Sequence, residues 1–169
     1  RQYNTNVLEK RNVNNFIFNS NPKINKFGFL NSYDVLLRNT NSENKNTNFK
    51  NKKNFYLSGI YQFNSSYPLI KEKENYQNIF KPRFSFKAAP SHTKDERNKE
   101  RKIDITNIYS LDRATDTTSI EGGLSMAYGF DYSILNKIKT QEIFNLKLAN
   151  NLRLKENNDL TNTNQIGEK

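Results

Sequence analysis

The chain has 169 residues, 27 basic and 17 acidic side chains for a net charge of +10, one histidine and no cysteine. That length suits a single domain, the missing cysteines exclude a disulfide or a cysteine-ligated metal within this stretch, and no run approaches the about eighteen apolar residues of a membrane-crossing helix. Hydrophobic residues make up only 34% and aromatics 12%, too few apolar side chains for an ordinary soluble core and too many aromatics for plain disorder. Few apolar residues in strict alternation suit a sheet with one apolar face. Starting at Arg1 without an initiator methionine, the sequence reads as a piece of a longer protein.

Residues 1–11 hold the end of a strand at 3–8, and 13–20 form a short strand through Phe16 and Phe18 before a turn at Asn21-Pro22-Lys23. Over 27–39, Phe27, Phe29, Tyr33, Val35 and Leu37 fall on one face and Gly28, Ser32, Asp34 and Arg38 on the other. Residues 39–54 are polar and basic and predict a long loop. The alternation returns over 55–64, with Phe55, Leu57, Tyr61 and Phe63 against Tyr56, Ser58 and Gln62. Residues 65–76, with Pro68 and a Lys-Glu-Lys-Glu run, predict another loop. Over 78–89, Phe80, Phe84, Phe86 and Ala88 oppose Arg83, Ser85 and Lys87. Pro82 lies inside that run and has no N–H for a ladder, which predicts a strand end, bulge or edge there. A charged loop over 90–102 holds His92.

The chain is organised around residues 103–132. Ile103, Ile105, Tyr109 and Leu111 share one parity, broken at Asn107, and predict a strand over 103–111. A polar connection with Arg113, Asp116 and Glu121-Gly122-Gly123 leads to a second strand over 123–133. There Leu124, Met126, Tyr128, Phe130 and Tyr132 hold one face, and Gly123, Ser125, Ala127, Gly129 and Asp131 the other. That clean run is about nine to ten residues long, the length of a tilted strand crossing a bilayer. After a connection at 133–141, residues 143–154 form the last strand, with Phe144, Leu146, Leu148, Leu152 and Leu154 against Asn145, Lys147, Ala149, Asn151 and Arg153. Its Leu, Lys and Ala leave a helix as the alternative. Residues 155–169 are a polar tail. About seven strands at near-regular spacing predict an all-β, antiparallel up-and-down meander, an open curved sheet belonging to a transmembrane β-barrel.

No residues combine into a catalytic, cofactor-binding or metal-binding set. His92 sits in a charged loop, Gly122-Gly123 reads as a turn entering a strand, and Asp104 and Asp131 read as polar-face positions. The basic residues concentrate in connections, at Lys50, Lys52 and Lys53, at Lys71 and Lys73, and from Lys94 through Arg97, Lys99, Arg101 and Lys102. Solvated loops are their simplest reading; acidic headgroups, lipid phosphates or nucleic acid are the functional one. Arg113 and Glu121 bracket the central connection, and a hairpin there would bring them within salt-bridge reach.

Three segments resemble the C-terminal barrel region of the LptD family of outer-membrane lipopolysaccharide-assembly proteins. Residues 75–90, NYQNIFKPRFSFKAAP, are similar to a family strand with its Pro82-Arg83 step and closing Pro90. Residues 104–129 resemble the signature of a strand, Ser110-Leu111-Asp112-Arg113, a polar turn with Glu121-Gly122-Gly123, and a strand with Tyr128-Gly129. Residues 144–154 are similar to the strand that follows. The chain departs from the family at Asp112, where asparagine is usual, at Gly122, where aspartate is usual, at Ala149-Asn150, where Gly-Gln is usual, and at Ala114, where phenylalanine is usual. The resemblance covers most of 75–154.

It implies a very large barrel in the cell outer membrane, plugged by an LptE-like lipoprotein. A periplasmic jelly-roll domain takes lipopolysaccharide from the periplasmic Lpt bridge proteins, and the lipid leaves between the first and last barrel strands. Residues 1–169 would be wall, without the jelly roll, barrel ends or disulfides. The partners implied are lipopolysaccharide, the lipoprotein, the bridge proteins through the absent domain, and outer-membrane lipid, with no cofactor, no nucleic acid and no enzymatic step. Leu124, Met126, Tyr128, Phe130, Phe144, Leu146 and Leu148 are the residues expected to face lipid. Another outer-membrane barrel, a porin or receptor, is the first alternative, and a soluble β-sheet protein binding acidic ligands or nucleic acid the second.

Overall fold

The computed structural model describes residues 8–45, 52–90, 103–114, 117 and 119–155. The expected strand end at 3–8 lies outside these residues but for Leu8; His92, Asp116 and the tail beyond Lys155 lie wholly outside them. The strands are β1 (Leu8–Asn19), β2 (Lys23–Ile24), β3 (Leu30–Lys45), β4 (Lys52–Ser66), β5 (Leu69–Glu72), β6 (Tyr76–Ala89), β7 (Gly123–Asn136) and β8 (Gln141–Arg153). They form one antiparallel sheet in the order β1-β3-β4-β6-β7-β8, with β2 beside β3 and β5 beside β6. The sheet is open, and no helix occurs among the described residues. The helical alternative for 143–153 is therefore excluded.

Three expectations need correction. The loop expected over 39–54 is much shorter, because β3 and β4 stay paired out to Asn44↔Lys52. The ladder is made by backbone groups, so the loss of apolar alternation after Leu37 does not end it. The loop expected over 65–76 contains β5, which continues β4 in the same register against β6, from Ser66↔Arg83 to Leu69↔Phe80. Pro82 is neither a strand end, an edge nor a bulge. It lies inside β6, opposite Phe130, and its carbonyl accepts the Tyr67 N–H at 3.0 Å. Its missing N–H thus points at the break between β4 and β5, where Tyr67-Pro68 interrupts the ladder, and nothing on the β7 side needs it.

The connections at the two ends of the sheet differ. At one end they are tight. Gly28, with φ 87°, turns the chain over 25–29 while the Asn25 Oδ1 accepts the N–H groups of Phe27 at 2.9 Å and Phe29 at 3.0 Å. Lys73 donates to the Tyr76 carbonyl at 2.8 Å, and the Asn136 Oδ1 takes the N–H groups of Ile138 and Lys139 at 2.9 and 3.0 Å. The other end carries the connections 46–51 and 90–122.

The period-two pattern sorts the side chains into two opposed faces. Phe130 pairs with Leu148, Tyr132 with Leu146 and Ile134 with Phe144, so the even positions of β7 and β8 share one apolar face, the register expected for 124–130 and 144–148. Phe16, Phe18, Tyr33, Leu37, Tyr61, Phe80 and Phe84 belong to the same face, and all are exposed. The opposite face buries Arg38, Thr40, Gln62, Ser85, Lys87, Ser125 and Arg153. The apolar face is thus bare and the polar face covered, the reverse of a soluble sheet. At Gly129, on the polar face, an added Cβ would strike the Leu148 carbonyl and lie 2.7 Å from the Ala149 Cα. The β8 backbone therefore leans over the polar side of β7, and the sheet bends toward its polar face at this joint.

Candidate functional site

What covers the polar face is the described part of the connection between β6 and β7, residues 103–114 and 119–122. The strand expected over 103–111 does not form. Its neighbours are already taken, because β6 and β7 pair directly from Tyr76↔Asn136 to Ala89↔Gly123 and leave no edge between them. Local side chains also compete with the ladder. The Asp104 Oδ1 accepts the N–H groups of Thr106 at 2.7 Å and Asn107 at 3.3 Å, and the Asp104 carbonyl accepts that of Ile108 at 3.0 Å. Residues 103–110 become consecutive turns that lay the segment across the sheet.

From there the segment is fastened strand by strand. Gln62 on β4 donates to the Tyr109 carbonyl at 2.8 Å, and the Arg83 guanidinium of β6 lies over the Tyr109 ring, 4.0 Å from its centroid, while also pairing with Asp131 at 3.2 Å. Lys87 donates to the Ser110 carbonyl at 2.7 Å. Arg38 of β3 pairs with Asp112 at 3.1 Å and also donates to the Ser119 carbonyl. Asp112 in turn holds the loop together, its Oδ1 accepting the N–H groups of Ala114 at 3.1 Å and Glu121 at 3.2 Å. The small apolar core lies in the same place: Leu36 and Ile60, exceptions on the polar face, are closed over by Ile120, with Leu111 packed alongside.

The centre of the arrangement is Glu121. Arg113 grips its carboxylate with two nitrogens, Nε to Oε2 at 2.7 Å and Nη2 to Oε1. Arg153 of β8 reaches Oε1 at 2.7 Å and Lys87 reaches Oε2 at 3.3 Å. Arg113 also donates to the Asn151 Oδ1 at 2.8 Å and the Ser125 Oγ at 3.2 Å, and Arg153 to the Gly122 carbonyl at 3.1 Å. The side chains of Glu121, Arg113 and Arg153 are at most 1% exposed. Burial opposes ionisation of Glu121, but Lys87, Arg113 and Arg153 together outweigh it and hold the carboxyl well below the usual carboxylate range. Buried charge is tolerated here because each group meets hydrogen-bonding partners of opposite sign or polarity.

The residues singled out from the sequence separate into three places. Arg113, Glu121 and Gly122 meet in the ion cluster, and Arg83 joins the same segment through Tyr109. Pro82 sits within β6, Pro90 is exposed just beyond it, and Gly129 marks the bend between β7 and β8. Leu124, Met126, Tyr128, Phe130, Phe144, Leu146 and Leu148 lie on the apolar face, away from the cluster. The pair Arg113–Glu121 forms as the spacing suggested, but within a segment folded onto the sheet and not in a hairpin turn.

Sequence reasoning missed Lys87 and Arg153 as partners of this pair, and Arg38 and Asp112 as a second tie of the same segment. A signal existed: Lys87 and Arg153 both stand opposite Ser125, one on each neighbouring strand. Two cations flanking a serine on a covered face call for a carboxylate from elsewhere. Among the described residues no group of three or more histidine, cysteine or acidic side chains is arranged to hold a metal ion. No protein-family model, curated protein or solved structure gives a significant match to this chain.

Proposed function

We propose that this chain is a wall segment of an outer-membrane β-barrel that inserts lipopolysaccharide into the outer leaflet. The observation that carries the barrel reading is the inversion of polarity. Aromatic and aliphatic side chains line the bare face, and a satisfied network of charges lies beneath the covered one. In water an apolar face of this extent is a liability; in a bilayer it is the required lipid-facing surface, and the polar face becomes the lumen.

Dimensions agree with this reading. The apolar positions of β6 run from Phe80 to Ala88, about nine residues, the length of a tilted strand that crosses a bilayer. The tight turns at one end and longer connections at the other match the periplasmic and extracellular ends of that class. The bend at Gly129 is toward the polar face, the direction in which a barrel must curl.

The lipopolysaccharide reading rests on the resemblance of 75–90, 104–129 and 144–154 to the LptD family. Two of its signature positions, Arg113 and Glu121, lie at the heart of the buried cluster. On this reading the chain encloses the lumen, and lipopolysaccharide, an LptE-like lipoprotein, the bridge proteins and outer-membrane lipid are partners of the whole protein. Leu124, Met126, Tyr128, Phe130, Phe144, Leu146 and Leu148 meet lipid. The chain carries out no chemical step.

Depletion of the full-length protein from its native cell tests this. Newly made lipopolysaccharide should fail to reach the cell surface and accumulate inside. Normal surface delivery with loss of uptake of a particular solute would instead assign a porin or receptor barrel.

A further inference from the structure

We infer that the segment comprising 103–114 and 119–122 is a lumen-side strap that narrows the passage along this wall, latched by Glu121. The inference rests on the barrel reading, in which the polar face is the lumen. The segment crosses five strands on that face, touching β3 through Arg38, β4 through Gln62, β6 through Lys87, β7 through Ser125 and β8 through Asn151. It enters from the end that carries the longer connections, so it occupies space that a plain wall would leave open.

The fastening is mostly polar. Apart from Leu111 and Ile120 on Leu36 and Ile60 and the Tyr109 ring under Arg83, the ties described are ion pairs and hydrogen bonds, and the strongest set converges on one carboxylate. Glu121 does two things at once. It pairs with Arg113 of its own segment, and it draws that arginine up to Lys87 and Arg153 of the wall. With the negative charge gone, the strap brings Arg113 against two wall cations, so the contact changes from attractive to repulsive. The Arg38–Asp112 tie lies on the other side of the strap and would hold only that part.

The test uses the full-length protein, with its partner lipoprotein, in planar lipid bilayers. Glu121→Gln should raise single-channel conductance several-fold over wild type while assembly, read as heat-modifiable migration, is kept. A cysteine pair, Asn64→Cys with Tyr109→Cys, joined by a short bis-maleimide, fixes the strap to β4 where both residues line one cavity. In the Glu121→Gln background this link should return conductance to the wild-type level. An assembled Glu121→Gln barrel with wild-type conductance overturns the inference, as does a raised conductance that the link does not lower. If Glu121→Gln fails to assemble, Asp112→Asn loosens the strap from its more exposed side, and conductance should rise by a smaller factor; no rise overturns the inference. A wild-type protein that neither inserts nor shows heat-modifiable migration removes the barrel reading itself, a result distinct from an inserted barrel indifferent to Glu121.

Discussion

Replacing Glu121 by glutamine removes one negative charge and little else. Glutamine matches the volume, so no cavity opens, and its oxygen can still accept a hydrogen bond. What disappears is the charge on which Lys87, Arg113 and Arg153 converge, all at 5% side-chain exposure or less. Breaking a buried ion pair from one side costs about 3–5 kcal/mol. The retained acceptor argues for the lower part of that range for glutamine, and Glu121→Ala should reach the upper part. A built-in control lies at the tight-turn end, where Glu72 and Lys137 pair at 3.0 Å with side chains 64% and 37% exposed. Breaking that pair should cost at most about 1 kcal/mol. Denaturant unfolding of the full-length protein in detergent micelles separates the two. Glu121→Gln should shift the midpoint well beyond Glu72→Gln, and the double-mutant cycle of Arg113→Ala with Glu121→Ala should show coupling of about 0.5–3 kcal/mol. Equal midpoints for the two glutamine variants, together with additive alanine effects, would refute the account of the cluster.

Three further outcomes follow from the same geometry. Because the folded protein holds the Glu121 carboxyl below its ordinary value of 4.5, its contribution is complete above that pH and is lost as pH falls below it; the stability gap between wild type and Glu121→Gln, measured by unfolding from about pH 6 to about pH 3, should therefore narrow on acidification, and a constant gap would contradict it. Tyr128 is 46% exposed on the apolar face, so Tyr128→Arg should lower the stability of the inserted barrel by about 2–4 kcal/mol if it lies near mid-bilayer; unchanged heat stability in membranes would count against a lipid-facing position. Gly129→Ala should weaken or misassemble the β7–β8 joint, at a cost of about 1–3 kcal/mol from overpacking against the β8 backbone, whereas Ala127→Gly, in the same strand, should leave heat-modifiable migration intact.

The long strands were legible because a strand's side-chain directions are set by its pleat. Leu124, Met126, Tyr128 and Phe130 can share a face only in an extended chain, and the same holds for Phe144, Leu146 and Leu148. The limits of β3 and β4 were not legible, since Asn39 to Asn44 pair through backbone groups that the side chains do not report. Ile103, Ile105, Tyr109 and Leu111 show the converse failure. Their alternation is real, but Asp104 and Asn107 turn the backbone, and β7 already occupies the edge of β6. The Arg113–Glu121 pair could be anticipated from proximity along the chain. Lys87 and Arg153 meet only once the β6–β7 and β7–β8 registers set both opposite Ser125, and placing Arg38 under the same segment needs the β3–β4 and β4–β6 registers as well. Pro82 shows why position outranks propensity: its missing N–H is harmless where the neighbouring strand is itself interrupted at Pro68.

The central claim is that the bare apolar face meets lipid while the covered polar face meets the lumen. The chain contains no tryptophan, so single tryptophans can be placed one at a time from 124 to 132 along β7, in full-length protein otherwise freed of tryptophan and reconstituted into vesicles containing brominated lipid. The account predicts quenching with a period of two: strong at 124, 126, 128, 130 and 132, and weak at 125, 127, 129 and 131. Quenching that is absent throughout, shows no alternation, or is strongest at the odd positions would contradict it.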